Sequence, residues 1–161
     1  MTEIEWLLTA NEAYAHARAS AADPRPGRRL AVVTCMDARI DVFAVLGLHL
    51  GEALVIRNAG GRVTDDVLRS LALATHVLGV DTVVVMQHTK CGLAGVTDEA
   101  LREITGAGFE FLSIDDHAAA LREDIDVLTT KPYLPLQMIA GFVFDVESGE
   151  IDDVCRWQRP S

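Results

Sequence analysis

The chain has 161 residues, half of them apolar and only 6% aromatic, which suits one hydrophobic core burying roughly 70% of the surface exposed by the unfolded chain. Its 24 acidic residues outweigh 14 basic ones and leave a formal charge of −10, so phosphate backbones and anionic lipid surfaces are repelled, and nucleic-acid and membrane partners are not expected. No 18-residue apolar run offers a membrane span, the acidic N-terminus does not read as a signal peptide, and three cysteines, an odd number, suit a reducing cytoplasm better than a disulfide framework.

Taken in order, residues 2 to about 20 place Ile4, Leu7, Leu8 and Tyr14 at helical spacing, and the breaker cluster DPRPGRR then predicts a linker. RLAVVTC and ALVIRNAGG are continuous apolar runs of strand length, separated by a short helical stretch, and both read as buried parallel strands. TDDVLRSLALATHVLG predicts a helix capped by Thr64, with acids in its first turn, Gly79 beyond its end, and Val67, Leu71, Ala74 and Leu78 on one face. A third strand is expected over Thr82 to Met86, a helix near 97 to 105, and another helix across SIDDHAAALREDIDVLTT, where Ser113 and Asp116 have capping-box spacing. LQMIAGFVFDVESGEIDDV closes the chain as a strand, a turn and a short return strand expected to be antiparallel. Strands alternating with helices give an α/β class: a mainly parallel four-stranded central sheet flanked by helices, plus that fifth strand. No repeat or second domain is visible. Residues 1–161 read as one domain, with an N-terminal helix and linker over 1–27 and a core over 28–155.

The exits of two strands carry chemistry. Cys35 follows the first, and His88 with Cys91 follows the third; parallel strands deliver their C-terminal ends to one edge. If these strands are neighbours whose connections leave in opposite directions, two thiolates and an imidazole meet in the crevice between them. That is a donor set suited to Zn²⁺, with a fourth position left over. Asp37 and Arg39 lie two and four residues past Cys35. The aspartate can cap a helix, coordinate zinc, or pair with the planar fork of Arg39, which keeps a carboxylate ionised.

CMDAR with HTKCG resembles the zinc signature of the β-class carbonic anhydrases, VIRNAGGRVTDDVLRSL resembles the segment bordering the active site in that family, and GFVFDVESGEI its closing strands. The resemblance spans about residues 28 to 154. It implies a central parallel sheet, a homodimer that can associate into a dimer of dimers, and reversible hydration of carbon dioxide to bicarbonate by attack of zinc-bound hydroxide. Carried onto this chain, Cys35, His88 and Cys91 bind zinc, while Asp37 and Arg39 form the catalytic dyad. Held by Arg39, Asp37 leaves the site open; released, it becomes the fourth zinc ligand and closes it. Where plant-type members carry a glutamine before the first strand, this chain reads DPRPGRR.

Two other readings share these residues: a zinc hydrolase of carbon disulfide or carbonyl sulfide, and a non-catalytic zinc protein whose fourth position Asp37 fills permanently. A cysteine-nucleophile phosphatase would need a Cys-x₅-Arg loop, with arginine sixth after the cysteine, whereas here Arg39 stands fourth after Cys35 and Asp41 sixth. Cys155 is expected to pack or face solvent, and His16, His49, His76 and His117 to be solvated or satisfied on helices. The glycines of NAGG lack the spacing and lysine of a phosphate loop, and are expected to let backbone pass close to the metal pocket.

Overall fold

The structure, a computed structural model, describes residues 1–18 and 23–160. Helix α1, Glu3–Ala17, begins with a reciprocal cap in which Thr2 Oγ1 accepts from the Glu5 amide and the Thr2 amide donates to Glu5 Oε2. The expected helix is there, yet none of its residues is buried. Residues 19–22, where the reading placed the helix end and the start of the linker, lie outside the described residues.

Strand β1, Leu30–Cys35, leads through helix α2, Val42–Leu46, to strand β2, Ala53–Asn58. A tight turn over Ala59–Gly61 opens into helix α3, Asp65–His76, and strand β3 follows over Thr82–His88. Then come helix α4, Asp98–Thr105, helix α5, His117–Thr129, strand β4, Met138–Phe144, and strand β5, Ile151–Gln158. The sheet runs β2-β1-β3-β4-β5, with all pairs parallel except β4 and β5. From β1 the chain turns outward to β2, and from β3 it turns the other way to β4. The crevice required by the sequence argument therefore lies between β1 and β3.

Alternation sorts the strand residues into two cores. Ala31, Val33, Val83, Val85 and Ile139 meet Val67 and Leu71 of α3 and Leu121, Ile125 and Leu128 of α5 on one face. Val32, Val84, Met86, Ala140 and Phe144 meet Ile40, Val42 and Leu93 on the other. Leu71 is fully buried, and its truncation to alanine would cost about 2–5 kcal/mol. At Gly141, beside a register shift in the β4–β5 pair, a Cβ would stand 2.7 Å from Cys155 Sγ, so any larger residue there would have to displace the Cys155 thiol.

Several expectations change in detail. Strand β3 continues to His88, two residues beyond the expected end, because Gln87 and His88 still pair with Val143 and Phe144 of β4. Helix α5 is capped by Asp116, which accepts from the Ala119 amide, while Ser113 belongs to the preceding segment, its own amide taken by Asp98. Thr64 holds the N-cap position of α3, but its side chain makes no capping bond. The fifth strand is antiparallel as expected, and longer than the sequence suggested. His49 lies in the loop after α2 rather than on a helix, and Cys155 lies within β5 rather than after it.

Candidate active site

Cys35 and His88 are the last residues of two adjacent parallel strands whose register pairs Thr34 with Met86, so both reach the same edge of the sheet one step out of register. Cys91 returns to them through a tight turn in which Lys90 takes a left-handed backbone conformation (φ 54°), uncommon for a lysine. Gly61 (φ 65°) crosses directly beneath, where a Cβ would lie 2.9 Å from the Cys35 amide nitrogen. The expectation that glycines let backbone pass close to the pocket is met there.

One donor atom each from Cys35, His88 and Cys91 can be chosen so that all lie within 4.8 Å of one another, and all three residues are buried. The two sulfurs are 3.9 Å apart and both thiols are free, far from the ~2.05 Å of a disulfide and close to the ~3.8 Å that two ~2.3 Å zinc–sulfur bonds subtend at a tetrahedral ion. His88 Nδ1 stands 2.9 Å from the Thr89 carbonyl, to which it donates, leaving the Nε2 lone pair free. That Nε2 is buried without any hydrogen-bond partner among the described residues. An orphaned imidazole nitrogen beside two thiols fits a soft divalent metal. Burial pushes the His88 imidazole toward its neutral, ligating form and pushes the Cys91 thiol up, so a metal must displace a proton from Cys91.

Asp37 and Arg39 meet as a two-pronged ion pair: Arg39 Nε donates to Oδ1 at 2.9 Å and Nη2 to Oδ2 at 2.7 Å, with the Arg39 amide also on Oδ1. These bonds, the side-chain ones first, hold the Asp37 carboxyl well below the usual carboxylate range. Asp37 Oδ2 is 3.8 Å from His88 Nε2. Helix α2 is capped instead by Asp41, so the capping alternative for Asp37 falls. Arg39 Nη2 also donates to the Lys90 carbonyl at 3.0 Å, and Arg57 donates to the carbonyls of Cys35 and Asp37, bracing the loop that carries both.

The site opens into a cavity of about 390 Å³ running from Cys35, Asp37 and Cys91 to Leu93, Leu101 and Phe111.

The sequence profile of carbonic anhydrases matches residues 30–126, the span that contains every one of these groups. The chain belongs to the β-carbonic anhydrase family. Beta-carbonic anhydrase 1 of Mycobacterium tuberculosis is 37% identical, the match covering 96% of this chain and 99% of that protein. The crystal structure of a carbonic anhydrase from Streptococcus mutans, 38% identical, superposes with a TM-score of 0.86 over 96% of this chain and 99% of that one. A carbon disulfide hydrolase from Acidithiobacillus thiooxidans is 34% identical over 96% of this chain and 70% of its own length. As a β-carbonic anhydrase the chain is a zinc enzyme, and Cys35, His88 and Cys91 are the residues fit to hold the ion.

Sequence reasoning missed Arg57, Arg62, Gln87, Asp98 and Asp124. Arg62 is buried against Asp124 (Nε to Oδ2, 2.8 Å), and Asp124 also takes the Val63 amide. The Arg62 guanidinium reaches the Leu112 carbonyl at 2.8 Å. Gln87 accepts from His117 Nδ1, 2.8 Å away, so His117 is a satisfied histidine, as expected. Apart from a charge in an apolar neighbourhood, nothing in a single sequence marks these partners.

Proposed function

We propose that this protein catalyses the reversible hydration of carbon dioxide to bicarbonate at Cys35, His88 and Cys91, with Asp37 and Arg39 as the dyad that keeps the site open. The observation that carries the reading is the orphaned His88 Nε2 beside two free thiols, with an ionised Asp37 oxygen 3.8 Å away and held by Arg39. Zinc bound there would supply a Lewis-acid centre that makes water nucleophilic, and the two thiolates would acidify that water less than an all-imidazole site does, so activity is expected to rise above neutral pH. Asp37 Oδ2, kept as a carboxylate, is the acceptor that orients the reacting water, and the apolar wall of Leu93, Leu101 and Phe111 suits a small linear substrate without charge. Arg39 has a second anchor on the Lys90 carbonyl, so Asp37 is the member of the pair free to swing onto the metal. With both its oxygens engaged by Arg39, the geometry favours the open arrangement over a permanently closed, non-catalytic one.

Stopped-flow carbon dioxide hydration on protein of measured zinc content, from about pH 6.5 to 9.5, tests this. A rate that climbs with pH, and falls about a hundredfold in Asp37→Ala with zinc retained, is expected. A zinc-loaded protein inactive over the whole range would sink the proposal. The similarity to a carbon disulfide hydrolase favours one second reading, hydrolysis of carbon disulfide or carbonyl sulfide by the same residues; parallel assays on the three substrates separate the two.

We also read the working unit as a homodimer of single-domain chains in the cytoplasm. Ile4, Trp6, Leu7 and Leu8 of α1 stand in solvent, an apolar surface a second copy would cover, and free cysteines suit a reducing compartment. Sedimentation of the full chain beside a variant with Leu7 and Leu8 both changed to glutamate tests the dimer.

A further inference from the structure

Leu101 and Phe111 line the cavity from outside the sheet, on α4 and on the segment that follows it. Asp98, the first residue of α4, takes three successive amides of that segment: Oδ2 accepts from Phe111 at 2.7 Å and Leu112 at 3.3 Å, and Oδ1 from Ser113 at 2.8 Å. Leu112 adopts a left-handed conformation (φ 58°), an arrangement in which consecutive N–H groups can converge on one anion. From the other side the buried Arg62 guanidinium takes the Leu112 carbonyl, so both polar edges of the peptide at the pocket wall are held. The Asp98 side chain is 13% exposed, whereas that of Glu99 beside it is 81% exposed and solvated. Phe111 itself is only half-buried and leans on Phe109 (ring centroids 4.8 Å apart), which is 64% exposed. Apolar burial alone therefore fixes the wall weakly.

We propose that Asp98 is a positioning residue that sets the width of the apolar approach to the Cys35–His88–Cys91 site by clamping the backbone of Phe111 to Ser113. The inference rests on the reading of the site as one that hydrates carbon dioxide. Its amide bonds, that from Ser113 first, hold the Asp98 carboxyl well below the usual carboxylate range, so the clamp stays ionised wherever the enzyme works.

Asp98→Asn keeps the volume but offers one acceptor oxygen and sets an NH₂ against an amide N–H. A wider approach weakens substrate contacts made equally in the ground and transition states. KM for carbon dioxide is then expected to rise about fivefold with kcat within about twofold, and with the pH profile and zinc content unchanged. Phe111→Ala removes the wall itself and is expected to give the same rise in KM. Thr97→Ala removes the cap of the same helix, where Thr97 Oγ1 accepts from the Ala100 amide, without touching the carboxylate, and is expected to leave KM unchanged. Amide exchange at residues 111–113 is expected to quicken in Asp98→Asn and not in Thr97→Ala. An unchanged KM in Asp98→Asn, or an equal rise in Thr97→Ala, would overturn the proposal. Should Asp98→Asn fail to fold, an unchanged KM in Phe111→Ala overturns it instead. A wild type without carbon dioxide hydration removes the function itself and the pocket role with it, whereas an active wild type with an indifferent Asp98→Asn removes only the latter.

Discussion

The inner wall of the pocket, where Cys35 and His88 stand, consists of strand ends tied into the sheet and buried between two apolar cores. The outer wall, residues 98–113, makes no strand pairing of its own, the isolated bridge of Ala94 with Ile114 flanking it on either side, and is fixed by polar bonds to Asp98 and Arg62. The contrast separates two tasks. Metal ligands must keep their geometry to a few tenths of an ångström, which the close packing of strand ends provides. A substrate approach needs only a stable width, and a few charge-assisted hydrogen bonds to backbone supply that without a second core.

The contrast breaks most sharply at His88. Removing its imidazole leaves two thiols and no third donor from the sheet, so His88→Ala is expected to lose zinc and at least about a hundredfold in activity, with zinc content measured beside the rate. Full zinc at wild-type rate in that variant would mean the inner wall is not the metal site. The next largest effect is on the fold rather than the metal: Arg62→Ala strands Asp124 as a buried unpaired charge, which costs about 3–5 kcal/mol. Thermal unfolding should show Tm lowered on the order of 10 °C, with purified folded protein still binding one zinc per chain. A drop under about 2 °C would show that the pair contributes little.

Acid sharpens the comparison from the other direction. Burial raises the Cys91 thiol, so zinc binding releases its proton; affinity is highest at alkaline pH and is lost as pH falls, by about tenfold per unit for each proton released. His88, shifted downward by burial, adds its own proton competition only below the ordinary imidazole range. Asp98, shifted downward as well, keeps the outer wall clamped throughout, its stabilisation present above the ordinary carboxylate value of about 3.9 and lost only as pH falls toward its folded value. Zinc competition with a chelator from pH 8 to 6, run beside amide exchange at residues 111–113, should therefore show the inner wall failing first. An affinity flat over that range would contradict the assignment of Cys91. The smallest effect is expected at Cys155, half-buried on β5 and part of neither wall: Cys155→Ser should shift stability by no more than about 1 kcal/mol and leave hydration unchanged.

What the sequence determined by itself was everything encoded in short windows. Val32-Val33 and Val83 to Val85 are β-branched runs that have little choice but buried strands, the breaker cluster at 23–29 separates α1 from the sheet, and Cys35, Asp37, Arg39, His88 and Cys91 stand where such runs end. Their meeting needed only parallel register and a change of connection direction between β1 and β3. The helix ends were less legible: Asp116 rather than Ser113 caps α5, because the helix starts only at His117, while Ser113 stays in the preceding segment with its amide on a carboxylate fifteen residues earlier. Tertiary structure alone decided that Arg62 would meet Asp124 sixty-two residues away, that Asp98 would gather three amides, and that α1, apolar at helical spacing, would bury nothing within its own chain. Local pattern fixes which groups dislike water. Which buried charge finds which partner depends on loop closures whose cost grows only slowly with length, so sequence distance carries almost no information about the pairing.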